Sequence, residues 1–273
     1  MRSMTSKETY LPVARHLRSF AIPLAIGSWS ALFVVLAFSF PPLVYLFEEP
    51  FSRFVFPLAI AAIMCLVVAT ALPFMISLNK MAKNDDSKEI QKFHAYQEYT
   101  FLTGLAGAAF QAANSIAAFW NAISIRLLYG QSVPENAYDQ IQGLQLFTTL
   151  FPAAPVFIAW LFSLLSWKEL APFFIKHADR RVKEEGLEAM KKILGSHTWA
   201  IIAFMAALGS YFILPLVDWG VLGWLGLLVL FAALIITSFF ILGSVTTFSM
   251  GVLAMSRAFK TLASDLPPAD TIT

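Results

Sequence analysis

The side chains with the most chemistry to offer are four histidines, one cysteine and a file of neutral polar residues inside an apolar run. His16, His94, His177 and His197 are of a type that ligates metal ions and haem iron through a ring nitrogen. Their spacing does not build such a site. There is no His-x-x-x-His pair, and Cys65 alone supplies neither a C-x-x-C-H haem attachment nor a thiolate cluster. The histidines therefore read as interfacial polar residues, although His94 and His197 each precede an apolar run and could approach one another. No cofactor and no metal are expected. Cys65 lies in an apolar run and is expected to be a buried, inert thiol.

The neutral polar file is more informative. Gly104, Gly107, Ala108, Gln111, Asn114, Ser115 and Ala118 recur at three- and four-residue steps, and Asn121 and Ser124 extend them. On a helix these positions share one face. A polar group facing lipid is costly unless paired, so this face is expected to point inward. Two kinds of chemistry fit it. One is a helix–helix seam in which small residues allow close approach and amides bond across it. The other is the lining of a path for a neutral polar solute. A second stretch, Gly220, Gly223 and Gly226 followed by Thr237, Ser238, Ser244, Thr246, Thr247 and Ser249, fits packing, because hydroxyls can bond their own helix.

Other sites are missing. There is no phosphate-binding G-x-x-x-x-G-K-[ST] loop, no G-x-S-x-G serine elbow and no His-Glu-x-x-His pair. No Asp, Glu, Lys, Arg or His falls near the middle of an apolar run, which counts against a proton-driven pump. Arg126 lies within a turn of the end of its run and can snorkel.

The elements that must position these residues are apolar helices. The 273-residue chain is 58% hydrophobic and 13% charged, with 26 phenylalanines, and its mean hydropathy is +0.70. A soluble domain is about a quarter charged. A helix needs about 20 apolar residues to cross a ~30 Å hydrocarbon core. Six runs meet or approach that length: 24–47, 54–78, 101–129, 144–166, 199–217 and 221–255. The first is too long for a cleaved signal sequence, whose apolar part spans about 7–15 residues.

Seventeen of the nineteen Lys and Arg residues fall on one side of this pattern, leaving only Arg53 and Arg126 on the other. Basic loops stay on the cytoplasmic side. The expected architecture is all-α: a polytopic integral membrane helical bundle of six transmembrane helices, N-in and C-in. Residues 1–23 form a cytoplasmic arm, 24–263 the membrane domain, and 264–273 a flexible tail. Trp29, Tyr99, Trp167 and Trp199 mark the inner interface, and Tyr45, Tyr129, Trp219 and Trp224 the outer one. Such a chain fits a bacterial cytoplasmic (inner) membrane. A net charge of +2, spread over short loops, argues against nucleic acid.

The two longer cytoplasmic links, 79–100 and 167–198, are expected to be helical. Asp86 and Glu89 have capping-box spacing, with Ile90, Phe93 and Gln97 following on a helix that runs into the third span. Leu187, Met190, Ile193 and Leu194 share the apolar face of an amphipathic helix, expected to end at Gly195-Ser196. That face, with Arg180 and Arg181, is the candidate docking surface for a protein partner or for lipid. Lys176, Arg180, Arg181 and Lys183 could attract anionic headgroups, but Asp179, Glu184 and Glu185 interleave with them. The functional expectation is a non-enzymatic membrane subunit or scaffold that docks partners through its cytoplasmic links. The alternatives are a transporter or channel subunit using the polar face of the third span, and a redox subunit using the histidines.

Overall fold

The structure, a computed structural model, describes residues 7–39, 51–129, 135–218 and 223–265. The described residues form six helices: α1 (Lys7–Ser39), α2 (Phe51–Asn84), α3 (Lys88–Tyr129), α4 (Glu135–His177), α5 (Arg180–Asp218) and α6 (Gly223–Ser264). The all-helical expectation holds. Of the outer links expected at 47–54, 130–143 and 217–221, residues 51–54, 135–143 and 217–218 belong to helices, and the rest, like the tail beyond Asp265, lie outside the described residues.

The helices are longer than the apolar runs that seed them. They contain 33 to 43 residues, or about 50–65 Å at 1.5 Å per residue. The links 79–100 and 167–198 are therefore continuations of helices rather than separate elements, each interrupted by a short break. The first break is 85–87 and the second 178–179. As expected, the helix of the first link runs on into the third apolar run as α3.

Its start differs from the expected capping box. Asp85, not Asp86, accepts the Ser87 backbone N–H at 2.9 Å. The Gln91 side-chain amide then reaches back to the carbonyls of Ala82 and Asp85, closing the end of α2. The last carbonyls of a helix need donors from outside its own ladder, and a side-chain amide supplies them. At the second break Asp179 caps α5, accepting the Val182 N–H at 2.9 Å. The expected stop at Gly195-Ser196 does not occur, and α5 runs through it. Ser196 donates to the Ile193 carbonyl, which is compatible with an unbroken helix.

Three stretches among the described residues are long and apolar enough to cross a membrane: Ala61–Asn84, Ala154–His177 and Ile235–Ser264. Only 22–28% of the residues in their most apolar windows are buried within the protein. Leu66, Leu72 and Ile76 on α2, and Phe239 and Ile241 on α6, are exposed. Apolar surface on this scale fits lipid as the surrounding medium. Cys65 is exposed in the same way. The expected burial is corrected: its place on an outward face of an apolar helix leaves the thiol uncovered by protein.

The chain forms two compact units, Met1–Ser28 with Trp167–Thr273, and Trp29–Ser166. In the second, Phe74, Leu78 and Met81 of α2 and Ile90 and Phe93 of α3 are buried. Gln97 of α3 donates to the Ser166 hydroxyl of α4 at 2.7 Å, and Ser166 donates to the Ser163 carbonyl. Tyr99 rests on Phe162 nearby.

In the first unit the N-terminal parts of α1 and α5 and the C-terminal parts of α4 and α6 enclose an aromatic core. Phe173, Phe174, Phe259, Leu17 and Ile193 are fully buried. Tyr10 stacks on Phe259 and tilts against Phe173. α5 and α6 run antiparallel. Thr261 meets Glu185, Gly251 meets Ala189 and Ile193, Ser244 meets Ser196, and Phe240 meets Trp199. α1 is also antiparallel to α6, since Ser256 donates to the Ala14 carbonyl while Tyr10 meets Phe259. α4 is parallel to α6, with Trp167 against Phe248 and Phe174 against Phe259.

Candidate functional site

The polar face of α3 belongs to the second unit. Gly107 and Ser115 are buried, and Gly104, Gln111 and Asn114 are half-buried. A Cβ added at Gly104 would meet no atom within 4 Å, so no helix presses on it there. The Ser115 hydroxyl donates to the Gln111 carbonyl of its own helix at 2.8 Å. That bond engages the hydroxyl hydrogen within its own helix and leaves the oxygen as an acceptor. The side chain of Asn121 lies outside the described residues.

The second candidate, the amphipathic start of α5, lies in the first unit. Met190 and Ile193 are buried, at 3% and 0% exposure, while Leu187 and Leu194 are half-buried. The apolar face is thus largely filled from within. Gly251 of α6 lets that helix approach closely enough for a Cβ there to fall 2.6 Å from Ile193 Cγ1. Gly186 does the same on another side, where a Cβ would fall 2.7 Å from the Phe174 ring. Small residues at these two points let α4, α5 and α6 close around one core.

The charged face of α5 points outward. Arg180 pairs with Glu184 at 3.1 Å, Arg181 with Glu185 at 3.4 Å, and Lys192 with Glu188 at 2.8 Å, all one helical turn apart. The Lys192 ammonium, by hydrogen bond and by charge, holds the Glu188 carboxyl below its ordinary range. Exposed pairs of this kind contribute little stability, but they fix which charges the surface presents.

Of the histidines, His16 and His94 are half-buried and His177 is exposed. His94 and His197 belong to different units. Among the described residues no three His, Cys, Asp or Glu side chains are grouped to hold a metal ion. His197 is buried at 4% exposure, with its ring edge-on to Phe248. Its Nδ1–H donates to the Ile193 carbonyl at 2.8 Å, so Nδ1 carries the proton.

Burial pushes the His197 pKa below the ordinary 6.5, and the bond to Ile193 offsets part of that. An imidazole with a lowered folded-state pKa takes up protons more readily when unfolded. Its contribution is complete above pH 6.5 and is lost as pH falls below that value. The thermal midpoint of the detergent-solubilised protein should fall between pH 7.5 and 5.5, and His197→Gln should flatten that slope. Glu188 titrates below 4.5 and leaves this window clear. An unchanged slope in the variant would exclude His197 as its source.

Sequence reasoning missed the Gln97–Ser166 bond, the aromatic core and the role of Gly251. The signal for the core was present: Val252, Met255, Phe259 and Leu262 recur at helical spacing through and past the end of the sixth apolar run. Comparison with protein-family models, with curated proteins and with solved structures finds no match.

Proposed function

We propose that the chain is a non-enzymatic subunit or scaffold of the bacterial cytoplasmic membrane, with six spans and both ends inside. In this reading it presents a packed helical body to a protein partner in the cytoplasm. One observation carries the reading. In the first unit, the residues that the basic asymmetry assigns to the cytoplasmic side include the fully buried Phe173, Phe174 and Phe259, whereas much of the described apolar surface is exposed. A body that folds tightly just outside the membrane, with its own aromatic core, is more than a set of connecting loops. Its outward face is the charged side of α5 rather than the apolar side, so the partner surface is polar.

The alternating helix directions in the first unit support the topology. α1 and α5 run one way and α4 and α6 the other, as an N-in, C-in chain requires. The basic asymmetry supports the orientation.

A single-cysteine protein tests both parts. Cys65→Ser combined with Arg180→Cys places a thiol at a side chain that is 92% exposed. A membrane-impermeant maleimide should label it only after the cells are permeabilised. A cysteine-directed photo-crosslinker at the same position should give one adduct of defined mass in native membranes. Labelling in intact cells would overturn the orientation, and a protein that remains a lone monomer would overturn the scaffold.

A further inference from the structure

An open groove of about 650 Å³ runs between α5 and the C-terminal part of α6. The two helices are antiparallel, and their register sets charge along its whole length. Thr261 meets Glu185 near one end. Gly251 meets Ala189 and Ile193, which puts Lys192 level with Met250 at the other. Arg181, Glu185, Glu188 and Lys192 form the α5 wall. Met250, Leu253 and Ala254 form an apolar floor on α6, followed by Arg257 and Lys260. The floor is open: Met250 is 56% exposed, and Leu253 and Ala254 are half-buried.

The α5 wall is balanced within itself. Arg181 pairs with Glu185, whose other oxygen accepts from the Thr261 hydroxyl, and Lys192 pairs with Glu188. Arg257 and Lys260 are exposed and have no ion-pair partner among the described residues. They stand one turn apart on the same side of α6. The net positive charge of the groove therefore rests on one short stretch of one helix.

This pattern selects among occupants. A free anion needs the two cations but not the floor. A lipid chain needs the floor in hydrocarbon, and the Lys192–Glu188 pair level with it suits water instead. A groove between two packed helices accepts the side-chain ridge of a third. At 1.5 Å per residue, Arg257 and Lys260 lie about 10 and 15 Å along α6 from Met250, or two to three helical turns.

We infer that this groove docks an acidic amphipathic helix of a protein partner. An apolar side chain sits on Met250 and Leu253, and two carboxylates, two to three turns along, meet Arg257 and Lys260. Docking here rests on the scaffold reading and gives the partner's surface its chemistry. The opposite charges steer the encounter and fix the register, and the apolar anchor is the part that leaves water.

The test is photo-crosslinking of the full chain in native membranes, with benzoylphenylalanine in place of Met250. The adduct is digested and the crosslinked peptide sequenced by mass spectrometry. It should come from another protein and carry two Asp or Glu residues on one helical face, two to three turns from the crosslinked residue. The yield should fall as salt rises.

Arg257→Glu with Lys260→Glu should cut the yield by about tenfold or more, because like charges then face one another. Arg257→Lys with Lys260→Arg should keep most of it. Lys191→Glu, which reverses a charge on α5 outside the groove, should leave it within about twofold. All three side chains are exposed, and an unchanged denaturation midpoint shows that each variant folds. A yield that survives the double Glu variant would overturn the inference, as would a crosslinked peptide without acidic residues. So would an adduct of phospholipid mass, a peptide from residues 266–273 of the same chain, or one from a second copy. No adduct at position 250 beside a defined adduct at position 180 would overturn it and leave the scaffold standing. Failure at both positions would remove the scaffold as well.

Discussion

Gly251→Ala should destabilise the solubilised protein by about 2–3 kcal/mol, a large effect for one added methyl group. The new Cβ would fall 2.6 Å from Ile193 Cγ1, 2.9 Å from the Ile193 backbone nitrogen and 3.2 Å from the Ala189 carbonyl oxygen. The side-chain atom could turn aside. The two backbone atoms belong to α5 and cannot move without moving the helix. α6 would have to withdraw, loosening Ser244 from the Ser196 carbonyl and Thr261 from Glu185 at either end of the pair.

Gly195→Ala is the control. A Cβ at Gly195 meets nothing within 4 Å, and alanine is favoured over glycine inside a helix by about 0.5–1 kcal/mol. That variant should be as stable as the wild type or more so. The measurement is the denaturation midpoint of both variants in one detergent. A Gly251→Ala protein that melts with the wild type would mean that α5 and α6 do not pack as described.

The contrast between these two glycines marks the limit of what could be seen in the sequence. Both lie in apolar or amphipathic helical stretches. Nothing local separates Gly251, which faces another backbone, from Gly195, which faces open space. Gly195-Ser196 even has the composition of a helix end. Tertiary packing overrides that local preference: Ile193 and Ser196, on either side of Gly195, are both buried.

Helix type was legible because apolar length is a property of consecutive residues. The start of α3 was nearly legible, displaced by one residue from Asp86 to Asp85, because several Asx residues in a row offer several caps. Partnerships across the chain were not legible. Gln97 and Ser166 are 69 residues apart, and neither residue type announces the other. The amphipathic face of Leu187–Leu194 was legible as a face but not as to what covers it. An apolar stripe has the same pattern whether lipid, a partner or α6 lies against it.

Phe259→Ala separates the aromatic core of the first unit from the apolar stretches of its helices. Phe259 is fully buried. Its ring lies 6.1 Å from that of Tyr10 on α1 and 5.6 Å from that of Phe174 on α4. Truncation removes the ring that joins three helices and leaves a void among groups that cannot all collapse onto it. A cost of about 3–5 kcal/mol is expected. Phe259→Leu, which refills most of the space, should lose only about 1–1.5 kcal/mol.

The site of the loss matters more than its size. Lipid-facing helices keep their backbone hydrogen bonds whether or not the body is packed, so the chain should stay helical and in the membrane. The opening should be local. Amide exchange should accelerate along 180–194 and trypsin should gain access at Arg180 and Arg181, while α2 and the first half of α3 keep their protection. If the body is the docking module, the crosslinked adduct from position 180 should disappear with it, although no residue at the crosslinking position has changed. Uniform loss of protection across both units would instead mean that they unfold as one, and the body could not be treated as a module.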